Sequence, residues 1–374
     1  MSVVPVSARR IGVRRLGGPL AGSVVALVLV LVVAAGSGSV PVGAGEVVAA
    51  SARGIEAALR DLVGVAPKAA AGVPAAGVPA ASALDARQRV VDTIVWQIRL
   101  PRVTLAALVG AALALAGAGF QGVFRNPLAD PYLLGAASGA GFAAALAMLA
   151  GGGLGLLGGV GVPAAAFLGA GLTVAVVVLL ARRGWTLPVV PMVLAGVVVG
   201  SCLAAGTSFL LLAAREQAAS ILTWLLGSLA FASWERVGSL LPPLLLAAIG
   251  LLAAARALDV LQLGERAAAQ LGVHVEGLKL SVVAAATLAT AAAVSVAGVI
   301  GFVGLVVPHA VRLALGPDHR RLLPIAALWG AGFMVLADLV ARTVIAPAEL
   351  PVGVVTALVG APFFLVLLRS RSAA

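Results

Sequence analysis

Charge is what this sequence has least of. Only 10% of its 374 residues are Asp, Glu, Lys or Arg, while 62% are hydrophobic. A soluble domain carries about 25% charged residues, so an ordinary water-facing shell is excluded. The single cysteine, Cys202, rules out an intrachain disulfide and a thiolate metal cluster. One tyrosine and five tryptophans leave material for only a thin aromatic belt. Catalytic signatures are missing as well: no H-E-x-x-H, no G-x-S-x-G, and no glycine-rich loop ending in Lys-Ser or Lys-Thr. His274, His309 and His319 are scattered, each near the edge of an apolar run. They read as satisfied or interfacial groups rather than metal ligands.

What is present is apolar length. Ten spans can be drawn, at about 19–36, 103–119, 133–152, 156–181, 188–213, 238–255, 280–299, 301–315, 322–341 and 352–368. Most approach the roughly 20 residues that cross a hydrocarbon core as helix. The expected fold class is therefore all-α, a polytopic membrane protein with about ten transmembrane helices. Forty-six glycines suit close helix packing in lipid. In this setting the net charge of +11 reports orientation rather than nucleic-acid binding. With the N-terminus inside, the cytoplasmic pieces hold 15 basic residues and the outer pieces 10, seven of these in 37–102. An even number of spans then puts both termini in the cytoplasm.

The expected domains are a basic tail (1–18), a first transmembrane helix (19–36), an extracytoplasmic segment (37–98) and a permease domain (99–374). Arg9, Arg10, Arg14 and Arg15 also fit the basic region of a signal peptide. No small-x-small site closes the apolar run, so a retained helix is expected. Within the outer segment, 45–64 reads as an amphipathic helix with Val48, Ile55, Leu59 and Leu62 on one face, and 66–83 as a Pro/Ala/Gly linker.

Asp338 is the one acid deep in a span, and Arg342 lies four residues on, on the same helical face. Either a structural ion pair or a proton relay fits. An ion-coupled secondary transporter would bury more ionisable groups, so energy is expected from a partner. On the cytoplasmic side the longest polar stretch is 256–279, where Gly264 and Gly272 bracket "ERAAAQL". It is either a solvated connector or a short helix that fits an ATPase.

Seven segments appear in order: "WQIRLPR", "QGVFRNPLADPYLLG", "LLGSLAFASWERV", "LQLGERAAAQLGV", "GFVGLVVPHAVRL", "DHRRLLP" and "ELPVGVVTALVGAPFFLVLL". Together they resemble the FecCD-type permease subunits of ABC importers for cobalamin, ferric siderophores and haem. The resemblance covers about 90–370; the N-terminal tail and the 65–90 insert depart from it. It implies a homodimer with the path at the dimer interface, lined by the fifth and tenth spans. Two cytoplasmic ATPase subunits, which hold the ATP, and an extracytoplasmic substrate-binding protein would complete the importer, leaving this chain without catalysis or cofactor. An iron chelate or corrinoid is the implied cargo, haem the alternative, and the inner membrane of a prokaryote the location.

The same resemblance makes the helix between the sixth and seventh spans the ATPase contact, with Gly264, Glu265, Arg266 and Gly272. It also assigns Arg99, Arg102 and Arg342, expected at the outer surface, to binding-protein docking. Read from the residues alone, these arginines anchor to lipid phosphates. Finally, Arg125, Asn126, Pro127, Asp130 and Pro131 form either a cytoplasmic hinge between the second and third spans, as the resemblance implies, or a purely structural corner. There the prolines stop the helix, Asn126 and Asp130 satisfy freed backbone donors, and Arg125 is placed to pair with Asp130 or a lipid phosphate.

Overall fold

Long apolar runs in lipid have to satisfy their own backbone, which helix does residue by residue. The computed structural model describes residues 17–38, 42–63, 81–151 and 161–372, and its regular elements there are helical. They are α1 (Gly17–Gly36), α2 (Ala44–Val63), α3 (Ala81–Thr93), α4 (Leu100–Phe124), α5 (Ala136–Gly151), α6 (Gly161–Ala181) and α7 (Val189–Ala213). Next come α8 (Ala218–Leu225), α9 (Trp234–Leu261), α10 (Glu265–Gln270), α11 (Val275–Ala297), α12 (Val303–Leu315), α13 (His319–Thr343) and α14 (Val352–Ser372). Seven helical stretches are long and apolar enough to cross a membrane, and α5, α12 and α14 are shorter apolar ones. These correspond in order to the ten expected spans. α12, with 13 residues, is only about 20 Å long. The segment Gly298–Phe302 separates it from α11, with Phe302 in the left-handed region at φ 70°.

α4 is the axis of the bundle. It is apolar on every side and buried along nearly its whole length, against α13, α11, α12 and α9. Alanine and glycine make this possible, because dispersion between closely approaching backbones is what holds helices together in lipid. At Gly117 a Cβ would lie 1.8 Å from the carbonyl oxygen of Gly304 on α12. Any larger residue would push the two helices apart.

Two ends of the bundle carry the polar groups. At one end meet the close of α1, the start of α4 and the close of α13; this is the arginine end. At the other lie the close of α4, the α6–α7 turn, α10 and the start of α13. Trp234 fastens α9 to the entry of α4, its Nε1 donating to the Trp96 carbonyl at 2.9 Å with ring centroids 5.0 Å apart.

Several expectations change. A π-helical turn, Ile94–Arg99, joins α3 to α4, so Ala86–Phe124 is continuous and the boundary placed at 98–99 falls inside a helix. α2 forms where an amphipathic helix was expected, but Val48, Ile55 and Leu59 face outward. The buried side is Val47 and Ala50, and Gly54 lies against Trp96, because only small residues fit there. α8 lies in what read as a connection. The basic tail to residue 16 and linker residues 64–80 lie outside the described residues.

Candidate functional site

The α10 end is built by a tight reversal. α9 closes at Leu261, and Gln262 bends back, its Nε2 donating to the Gly122 carbonyl at 2.9 Å. Gly264 then takes φ 109° and ψ 152°, a conformation open essentially to glycine alone. The six-residue α10 follows, and Gly272, at φ 85°, reverses the chain again. His274 caps α11, its Nδ1 accepting the Gly277 N–H at 3.1 Å. α10 buries Ala268 and leaves Arg266 exposed, with Leu263 and Leu271 exposed just beyond its two ends. Glu265 reaches the other way, to Lys279 Nζ at 2.8 Å.

The hinge lies beside this turn. Arg125 ends α4 in the left-handed region, and its Nη1 is 3.7 Å from where a Cβ on Gly264 would sit. Asn126 Oδ1 accepts the Leu128 N–H at 3.0 Å, and Asp130 Oδ1 accepts the Tyr132 N–H at 2.8 Å. Both are the local side-chain turns expected of these residues. Pro131 opens a 3₁₀ turn, Pro131–Leu134. Burial pushes the Asp130 carboxyl up to about 6, against the Tyr132 N–H that favours its charged form. Among the described residues no ion pair joins Arg125 to Asp130. Gln121, buried one turn before the hinge, accepts from Arg312 Nη1 at 2.9 Å and donates to the Gly304 and Leu305 carbonyls, both at 3.3 Å. It ties α4 to α12.

At the other end three arginines turn inward. Arg102 forks between two carboxylates: its Nε and Nη2 reach Asp338 at 3.0 and 2.9 Å, and its Nη1 and Nη2 reach Glu349 at 2.8 and 2.9 Å. This hydrogen bonding holds the half-exposed Glu349 below the usual carboxylate range. Arg99, only 6% exposed, donates to the Ala35 and Gly36 carbonyls at 3.0 and 2.9 Å. Arg342 donates to the carbonyls of Ala34 and Ser37. The last carbonyls of a helix have no intrahelical donor and attract cations. Two guanidiniums therefore cap α1, one from the π-helical turn that leads into α4 and one from α13. The three arginines expected to dock a binding protein are thus taken up within the chain, by these carbonyls and by the carboxylates of Asp338 and Glu349.

With that geometry in view, comparison with known proteins is specific. Residues 26–370 match the FecCD transport family. This chain belongs to the FecCD transport family. The FecCD chain is 48% identical over 280 residues to a cobalamin import system permease protein, BtuC, of Halobacterium salinarum, covering 75% of this chain and 74% of that one. It is 47% identical over 280 residues to an uncharacterised ABC transporter permease protein, YvrB, of Bacillus subtilis, with 74% and 79% covered. To a hemin transport system permease protein, HmuU, of Yersinia pestis, it is 43% identical over 284 residues, with 74% and 84% covered. A solved inward-facing structure, described as a metal-chelate type ABC transporter, superposes with a TM-score of 0.76 at 32% identity, over 94% of this chain and 98% of that one.

In this FecCD permease the candidate residues form two groups. Gly264, Glu265, Arg266 and Gly272 gather with the hinge at the α10 end, and Arg99, Arg102 and Arg342 at the other. The Asp338–Arg342 spacing leads to a real but secondary contact, 3.6 Å from Nε, while Arg102 is the closer partner. Four polar positions escaped sequence reasoning: Lys279, Glu276, Gln121 and Glu349. Gln121 alone carried a plain signal, a lone amide in an apolar run.

Proposed function

We propose that this permease subunit carries an iron chelate or a corrinoid, with haem the alternative, across the cytoplasmic membrane of a prokaryote. In this reading two copies pair through the uncovered apolar faces of α7 and α14, which line the path. Both termini are cytoplasmic and α1 is retained. ATP is bound and hydrolysed by separate subunits seated on α10, and a binding protein delivers cargo at the arginine end.

The observation that carries the reading is α10 itself. It is a six-residue helix too short to be stable alone. Glycines hold it in a non-standard reversal, a buried lysine ties it to the bundle, and it turns Arg266 outward between the exposed Leu263 and Leu271. A solvated connector needs none of this. A cation with flanking apolar contacts suits a protein cleft. The path is supported by exposed apolar residues: Val190, Leu194, Val197 and Val198 on α7, and Leu358 and Val359 on α14. Such walls bind a bulky chelate weakly enough to release it. Docking fits Arg102, whose outer partner, Glu349, is the acid that an incoming carboxylate would replace.

The test is reconstitution. The chain in liposomes with its ATPase and binding protein should take up ferric siderophore, cobalamin or haem on addition of ATP. Alone, under a proton or sodium gradient, it should move none of them. Gradient-driven uptake by the isolated chain would overturn the proposal.

A further inference from the structure

Lys279 is the most deeply buried of the charged side chains outside the arginine end, at 1% exposure. A buried ammonium is stable only when closely paired, and here its partners belong to three different elements. Its Nζ lies 2.8 Å from Glu265 on α10, 3.2 Å from Glu276 on the first turn of α11, and 3.3 Å from the carbonyl oxygen of Leu187, just before α7. Glu276 completes the circuit: its other oxygen accepts the Leu187 N–H at 2.6 Å. One acid–base pair of α11 thus holds both backbone groups of Leu187. Pro188 comes next, as the N-cap of α7, and its ring removes one of the soft dihedrals between Leu187 and the helix.

We propose that Lys279 is a positioning residue, the joint through which a displacement of α10 reaches the entry of α7. The proposal rests on the reading of α10 as the ATPase contact. The physical argument is that the Lys279 ammonium is buried although its carboxylate partners are partly exposed, so losing them would leave its charge uncompensated, and the members move together. If α10 shifts, Lys279 follows Glu265, and the clamped Leu187 must follow Lys279. α7, with its uncovered apolar face, is then driven from its end without touching the ATPase.

The test measures one distance in the full permease–ATPase complex. Spin labels go on Ala269→Cys in α10 and Val190→Cys in α7, in a Cys202→Ser background, and are read without nucleotide and with ATP plus vanadate. With Lys279 in place the distance should be the same in both states. In Lys279→Met it should shift between states, and ATP-driven uptake should be lost while the complex still assembles. Should Lys279→Met fail to fold, Glu276→Ala removes both the acceptor of the Leu187 N–H and one of the two carboxylates on Lys279, and should produce the same shift. Glu276→Gln, whose amide oxygen still accepts the Leu187 N–H, should restore the single distance. An unchanged distance in both Lys279→Met and Glu276→Ala overturns the inference. So does a distance that already changes with Lys279 present. If the unsubstituted chain does not co-purify with an ATPase at all, the reading of α10 fails first and takes this inference with it.

Discussion

The two charged ends of the bundle use the same residue types in opposite ways. At the arginine end the cations point inward. Arg102 holds Asp338 and Glu349, and Arg99 and Arg342 cap the closing carbonyls of α1. At the α10 end one cation, Lys279, is drawn inward by Glu265 and Glu276, while Arg266 stays exposed between two leucines. The lesson is that a charge at the edge of an apolar span is not automatically a surface charge. Its fate depends on which carboxylate or helix-end carbonyl a distant segment supplies.

Removing the central cation of each end should break this contrast most strongly at the arginine end. Arg102→Ala leaves Asp338, 1% exposed, with only Arg342 at 3.6 Å. Taking one partner from a buried pair costs about 3–5 kcal/mol. The purified protein should lose most of its thermal stability in detergent, and Arg102→Lys should recover little, since an ammonium cannot fork between two carboxylates. A variant that melts with the parent would show that the cluster does not hold this end.

Next in size is Gly264→Val. At φ 109° and ψ 152° a β-branched residue costs about 1–3 kcal/mol. Because α10 is short, the strain should displace it rather than unfold the bundle. Co-purification with the ATPase should fall while the melting temperature moves little. Full retention of the complex would make 262–274 a simple connector.

A smaller effect, of opposite sign, is expected at Asp130→Asn. The folded protein raises this carboxyl to about 6, so its contribution to stability is present below its unfolded pKa of roughly 4 and is lost as pH rises through 6. Asparagine caps as well as aspartate and carries no charge. The variant should therefore match or exceed the parent at pH 7.5 and lose that advantage by pH 4. Melting curves at the two pH values decide it. A variant less stable than the parent at pH 7.5 would mean that the hinge needs the charged form.

Arg266→Glu should leave stability within experimental error, because the side chain is exposed. Its effect should appear only in the salt dependence of ATPase association, since rim charges act on encounter rate. Identical salt slopes would remove Arg266 from the contact.

Much of this was legible beforehand. The spans followed from apolar length, the reversal around α10 from the Gly264 and Gly272 bracket, and the hinge caps from Asn126 and Asp130, whose side chains bond two residues ahead. All three are local effects. Misread were features that depend on a distant partner. α2 shows the same limit: its periodicity predicted an apolar face, but Trp96, more than 40 positions away from Gly54, decides which side is buried.

What the sequence by itself determined, then, is that the chain crosses the membrane about ten times as helix. In lipid each backbone amide must find its partner within its own helix, and that choice needs only an apolar run. What the tertiary structure alone decided is where the charges go. Arg102 meets Asp338 across 236 positions of chain, and Lys279 meets Leu187 across 92. Such pairs form only when packing around α4 brings remote segments within hydrogen-bonding distance, because a charge taken out of water is stable only where a partner at close range offsets its lost hydration.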